Sequence, residues 1–111
     1  MILNVVVDGN TFPVEVPDHL VHEAGEFFDR MDADMDKGYL VGREWVDNPT
    51  LEHRVQVVAD RMLTAMETEN ESMRVMMAAY ILNRVPGIKG VRLATDGDIM
   101  ESELLMSLDQ F

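Results

Sequence analysis

The 111-residue sequence predicts a single α+β domain in which a small antiparallel sheet packs on three helices, in the order β-β-α-α-α-β. Three observations carry this reading. An Asp-Gly turn joins two β-favouring runs at the start of the chain. Apolar residues then recur at helical spacing in three successive segments. A further β-favouring run follows Pro86-Gly87. A helical bundle with the hairpin as an appendage is the alternative architecture.

The first strand is Ile2 to Val7, and Thr11 to Val16 is the second after the Asp8-Gly9-Asn10 turn. Glu15 between Val14 and Val16 gives the alternation of a strand with one wet face. Pro13 has no N–H to donate, so this strand belongs at a sheet edge.

Pro17-Asp18 opens an amphipathic helix over about residues 19–35, with Asp18 as N-cap. Leu20, Ala24, Phe27, Phe28, Met31 and Met35 share its apolar face. Gly25 costs such a helix about 1 kcal/mol relative to Ala, which points to a close contact there. Residues 37–48 read as a packed connection with a helical turn, too apolar at Tyr39, Leu40, Val41, Trp45 and Val46 for a solvated loop.

Asn48-Pro49 starts the second helix, whose stripe runs through Leu51, Val55, Val58, Ala59, Met62, Leu63 and Met66. Thr68 to Glu71 matches a capping box, with Thr68 as N-cap, so a third helix begins near residue 70. From Met73 to Val85 that helix is apolar nearly all round, and Pro86-Gly87 ends it. Ile88 to Ala94 is the closing strand of the sheet, and Asp96-Gly97 a turn. Residues 96–111 are open between a short strand, an amphipathic helix and a flexible acidic tail. The expected core is Val5, Val7, Val14, Leu20, Phe27, Phe28, Val55, Val58, Met62, Leu63, Met66, Met77, Ile81 and Val91.

The net charge of -12 is unevenly placed. Residues 18–36 hold seven acids against Arg30 alone, and residues 96–111 hold five acids and no base. Between them, residues 49–95 are almost neutral and carry most of the apolar side chains. Clustered bases are missing, which argues against nucleic-acid and anionic-membrane partners. Without cysteine there are no disulfides, thiolate metal sites or thiol nucleophiles. The opening residues do not form a signal peptide, and the longest central apolar run, Val75 to Leu82, is far too short to span a bilayer, so a cytoplasmic protein is expected.

Several constellations invite a chemical reading. Asp32, Asp34 and Asp36 have the opening spacing of a calcium loop, but Lys37 stands where that loop needs glycine and Arg43 where it needs glutamate. The run reads as an acidic, solvated helix end, and because three acids at a helix C-terminus oppose the helix dipole, it leaves room for a weakly bound divalent cation or a basic protein partner. His19, His22, Glu23 and Glu26 share a helix face at metal-ligand spacing, and read otherwise as two surface histidines near acids. Ser72, Ser102 and Ser107 lack a nucleophile-elbow context, and no phosphate loop is present, so no catalytic residue and no cofactor is assigned.

Ten methionines are many for this length. Met62, Met66, Met73, Met76 and Met77, with Tyr80, fall on the two central helices, where thioethers serve either a core or an adaptable interface. Trp45, with Tyr39 and Arg43 in the same connection, is a core lid or a binding anchor. The leading expectation is a non-catalytic interaction module that forms a homodimer through the Met-rich helices. A divalent-metal protein using the first helix is the alternative, and an acidic decoy that mimics nucleic acid is a third.

Overall fold

The structure is a computed structural model and describes residues 1–41, 44–47, 49–96 and 101–107. It is α+β, with the elements β1 (Ile2–Val7), β2 (Asn10–Glu15), α1 (Asp18–Glu23), α2 (Gly25–Asp36), β3 (Tyr39–Val41), β4 (Glu44–Val46), α3 (Leu51–Glu67), α4 (Glu71–Arg84), β5 (Gly90–Arg92) and β6 (Glu103–Leu105). The main sheet has the order β2-β1-β5-β6, and β3 and β4 form a separate antiparallel pair.

The hairpin follows the expected chemistry. Asp8 and Gly9 both have positive φ, 51° and 81°, as a two-residue turn of the primed type requires. Met1 and Val16 exchange backbone hydrogen bonds of 2.7 Å in both directions. Because bonded and unbonded pairs alternate along an antiparallel ladder, the Asn4–Pro13 pair falls on an unbonded step. Proline therefore sits where its missing N–H faces the free edge, and it blunts that edge against further strands.

The sheet is mixed rather than wholly antiparallel. β5 runs parallel to β1, with Val5 beside Val91, and β6 pairs antiparallel with β5. The chain leaves β2, traverses the helices and re-enters on the far side of β1 in the same direction, the connection that a parallel pair needs. The closing strand is also shorter than Ile88 to Ala94, because only Gly90–Arg92 pair on the ladder. β6 settles part of the C-terminal segment as a strand, and residues 97–100 and 108–111 lie outside the described residues.

The first helix divides in two. Ala24, at φ -92° and ψ 24°, separates α1 from α2, and its carbonyl accepts from Phe28 N–H. Gly25 follows at the first position of α2, where its weak helix propensity does least harm. Nothing lies within 4 Å of where a Cβ would stand on Gly25, so no close contact explains it. The break leaves Phe27 39% exposed, against expectation, while Phe28 is fully buried. The connection at 37–48 contains the β3–β4 pair rather than a helical turn, and Gly42, Arg43 and Asn48 lie outside the described residues.

α3 begins at Leu51, two residues later than Pro49. Thr50 is its N-cap, accepting at Oγ1 from His53 N–H, while Thr50 N–H donates to His53 Nδ1, each at 3.2 Å. At its other end Asn70 N–H reaches Ala65 O at 2.8 Å, Glu69 N–H reaches Met66 O at 3.4 Å, and Glu69 has φ 56°. This Schellman arrangement consumes Thr68 as the C-cap of α3. Asn70, not Thr68, then caps α4, accepting from Met73 N–H at 3.2 Å.

The core gathers Leu3, Val5, Val14 and Val16 from the sheet, Phe28, Met31 and Met35 from α2, Val55, Val58 and Met62 from α3, and Met77, Tyr80 and Ile81 from α4. The rings of Phe28 and Tyr80 meet edge to face at 5.8 Å. Val7, Leu20, Leu63 and Met66 pack on it while half-buried. No helix among the described residues is long and apolar enough to cross a membrane.

Candidate functional site

The acidic run of α2 is tied to the two helices behind it. On a helix, residues 29, 32 and 36 lie on one side and residue 34 turns away. Asp32 is the hub. Arg84 Nε lies 3.0 Å from Asp32 Oδ2, Arg54 Nη1 lies 3.3 Å from Oδ1, and the Tyr80 hydroxyl donates to the same Oδ1. Arg54 Nη1 also reaches the Asp32 carbonyl at 3.0 Å, and its Nη2 pairs with Asp36. Arg84 Nη2 pairs with Asp29 at 2.7 Å. The Arg84 guanidinium rests over the rings of Phe28 and Tyr80, 5.9 and 5.7 Å from their centroids. Burial, and then the hydrogen bond to Asp32, push the Tyr80 phenol well above its ordinary value.

This arrangement supplies intramolecularly the cations that the acids at the end of α2 require. Asp32 and Asp36 are committed to arginines, and Asp34, on the outer side, lies 3.9 Å from Lys37. His19, His22 and Glu23 are exposed on α1, and the break at Ala24 interrupts the helical spacing that aligned them with Glu26. Among the described residues no three His, Asp or Glu side chains gather where they can hold a metal ion.

The methionines divide between interior and surface. Met62, Met77 and Tyr80 are at most 2% exposed within the single chain, so they are core and present nothing to a second copy. α1 packs along one side of α4, α3 along another and β2 touches it as well, which gives the all-round apolar helix its cover. Met66 and Met76 are half-buried, and Met73 is exposed near the start of α4.

Trp45 is the most exposed large apolar side chain among the described residues, at 62%. It is nevertheless held in place. Its indole Nε1–H donates to Asp47 Oδ1 at 2.7 Å, and its ring lies against the backbone at Gly38. A Cβ on Gly38 would stand 2.6 Å from Trp45 Cζ2, and Gly38 has φ 94°, so this approach needs glycine twice over. Gly38 lies two residues beyond Asp36, the last residue of α2, with Lys37 between them, and the carboxylate that Trp45 meets is that of Asp47. Arg43, the other expected anchor, lies outside the described residues.

Sequence reasoning missed Arg54, Arg84 and Asp29 as partners of this region, and Gly38 and Asp47 as supports of Trp45. One signal was available: seven of the nine bases are arginine, the residue suited to forked pairing with partly buried carboxylates. No protein-family model matches the chain, and no curated protein and no solved structure matches it either.

Proposed function

We propose that this chain is a non-catalytic interaction module that docks a basic segment of a partner protein on Trp45. The observation that carries the reading is an exposed tryptophan fixed in one orientation by Asp47 and Gly38. Fixing a large side chain before binding removes an ordering cost of about 0.5–1.5 kcal/mol from the association. A tryptophan face attracts a guanidinium or ammonium, and Asp47 places a carboxylate at its edge. A net charge of -12 adds long-range attraction for a cationic partner and repels nucleic acid. The arginine pairs of α2 consume much of that helix's charge, which concentrates the reading on Trp45 and Asp47 and weakens the acidic-decoy alternative.

Calorimetric titration of the full chain with an arginine-rich peptide tests the proposal. Saturable binding that Trp45→Ala abolishes, and that weakens steeply with salt, supports it. Equal binding by Trp45→Ala refutes it.

Homodimerisation is a second proposal and now rests on the exposed Met73 with half-buried Met66, Met76, Val75 and Leu20. Sedimentation equilibrium of wild type and Met73→Glu tests it. A concentration-dependent dimer that the variant loses supports it, and a monomer at high micromolar concentration removes it.

A further inference from the structure

We infer that a cleft between the start of β1, α1 and the turn after α4 is a binding site for a small amphipathic carboxylate. The cleft has a volume of about 480 Å³, within the usual range of small-molecule sites. Val21, Leu82 and Ile88 line it and are buried, so they form an apolar floor. His22 and Lys89 line it and are exposed, so they stand at its mouth. No carboxylate lines it, although the chain has 21 acids.

The lysine at the mouth is uncommitted. Among the described residues Lys89 has no carboxylate partner, whereas Lys37, Arg54, Arg74, Arg84 and Arg92 all have one. The Met1 amino group, also at the cleft, is already engaged by Val16 O at 2.7 Å and by Asp18 at 2.8 Å. The Asn83 amide is likewise occupied, donating to Val21 O and accepting from Arg84. Lys89 is thus the group left to receive an anionic head, with His22, which already faces the Asp18 carboxylate, beside the mouth, while the floor takes an apolar body of medium length. The site is separate from Trp45 and does not depend on the proposal made there.

The test is a titration of the isotope-labelled full chain with decanoate, decanol and acetate, each below any aggregation threshold, followed by amide chemical shifts. Decanoate is expected to bind saturably and to move the amides of Val21, His22, Gly87, Ile88 and Lys89. Decanol, which lacks the charge, is expected to bind up to about fivefold more weakly, since an exposed ion pair contributes up to about that factor, and acetate, which lacks the apolar tail, more weakly still. Lys89→Gln should weaken decanoate by a similar factor and leave decanol unchanged. Ile2→Trp, an exposed position in the lining, should block the cleft without touching the core. Equal affinity for decanol, an unchanged affinity in Lys89→Gln, shifts centred on Met73 instead, or no saturable binding would each overturn the inference.

Discussion

Asp32 of α2 and Arg84 of α4, 52 residues apart in sequence, lie 3.0 Å apart through Oδ2 and Nε, and this contact fastens the acidic helix to the core. The same carboxylate serves Arg54 and Tyr80, so one short side chain satisfies donors from two helices. All three ionic partners are only partly exposed, which makes the contact stronger than a surface pair.

Removing the hub leaves the Tyr80 phenol without its acceptor and takes one carboxylate from each of the two guanidinium groups, which keep Asp36 and Asp29. Asp32→Ala should therefore destabilise the fold by about 2–3 kcal/mol, and Asp32→Asn by about 1–2 kcal/mol because it retains an acceptor oxygen. Asp34→Ala, on the outer side of the helix, should change stability by less than about 0.5 kcal/mol. Urea unfolding of the three variants checks the order.

Tyr80 gives the fold an alkaline limit. Folding holds its phenol in the protonated form, with a value raised by burial and by Asp32. The stabilisation is therefore complete below the unfolded value of about 10 and is lost as the pH rises from there toward the folded value. Absorbance titration of the native protein should show no Tyr80 phenolate until unfolding begins. Tyr80→Phe should flatten the decline of stability above about pH 10, and an equally steep decline in that variant would contradict the account.

The helix junctions contain two positions that the sequence could improve. Glu69 adopts φ 56° at a site where glycine is preferred, so Glu69→Gly should stabilise by about 0.5–1 kcal/mol. Gly25 has ordinary helical surroundings and open space at its Cβ, so Gly25→Ala should add about 0.5 kcal/mol. Thermal unfolding of each variant measures the gain.

Local chemistry was legible in the sequence where it was self-contained. Asp8-Gly9 set the hairpin, Pro13 marked the edge and the Leu51–Met66 stripe marked α3. The parallel β1–β5 pairing was not legible, because it joins short strands across the whole helical region with no local signal. The second junction misled for a different reason. Thr68 and Glu71 satisfy the capping-box pattern, yet the positive φ of Glu69 ends α3 so tightly that Asn70 is the first residue placed to cap α4. The interior role of Met62, Met77 and Tyr80 was obscured because the separate helix α1 and its packing on α4 were not foreseen. Likewise, Asp32 and Asp36 were read from their neighbours in sequence, whereas their partners come from Arg54 and Arg84.

Gly38 tests the support beneath the exposed tryptophan. Gly38→Ala introduces a Cβ into the Trp45 ring and forces a side chain onto a backbone with φ 94°. It should cost about 1–2 kcal/mol and release the indole from Asp47. Faster depolarisation of tryptophan fluorescence would report the release, while unchanged anisotropy would show that Gly38 does not hold the ring.

Because Trp45 is the sole tryptophan, its emission reports directly on the proposed docking face. In the free protein the spectrum should be that of a solvated indole. Addition of an arginine-rich peptide is predicted to shift it saturably to shorter wavelength at low salt, and an acidic peptide of equal length to leave it unmoved. An emission spectrum that stays in place while the basic peptide binds elsewhere on the chain would contradict the account.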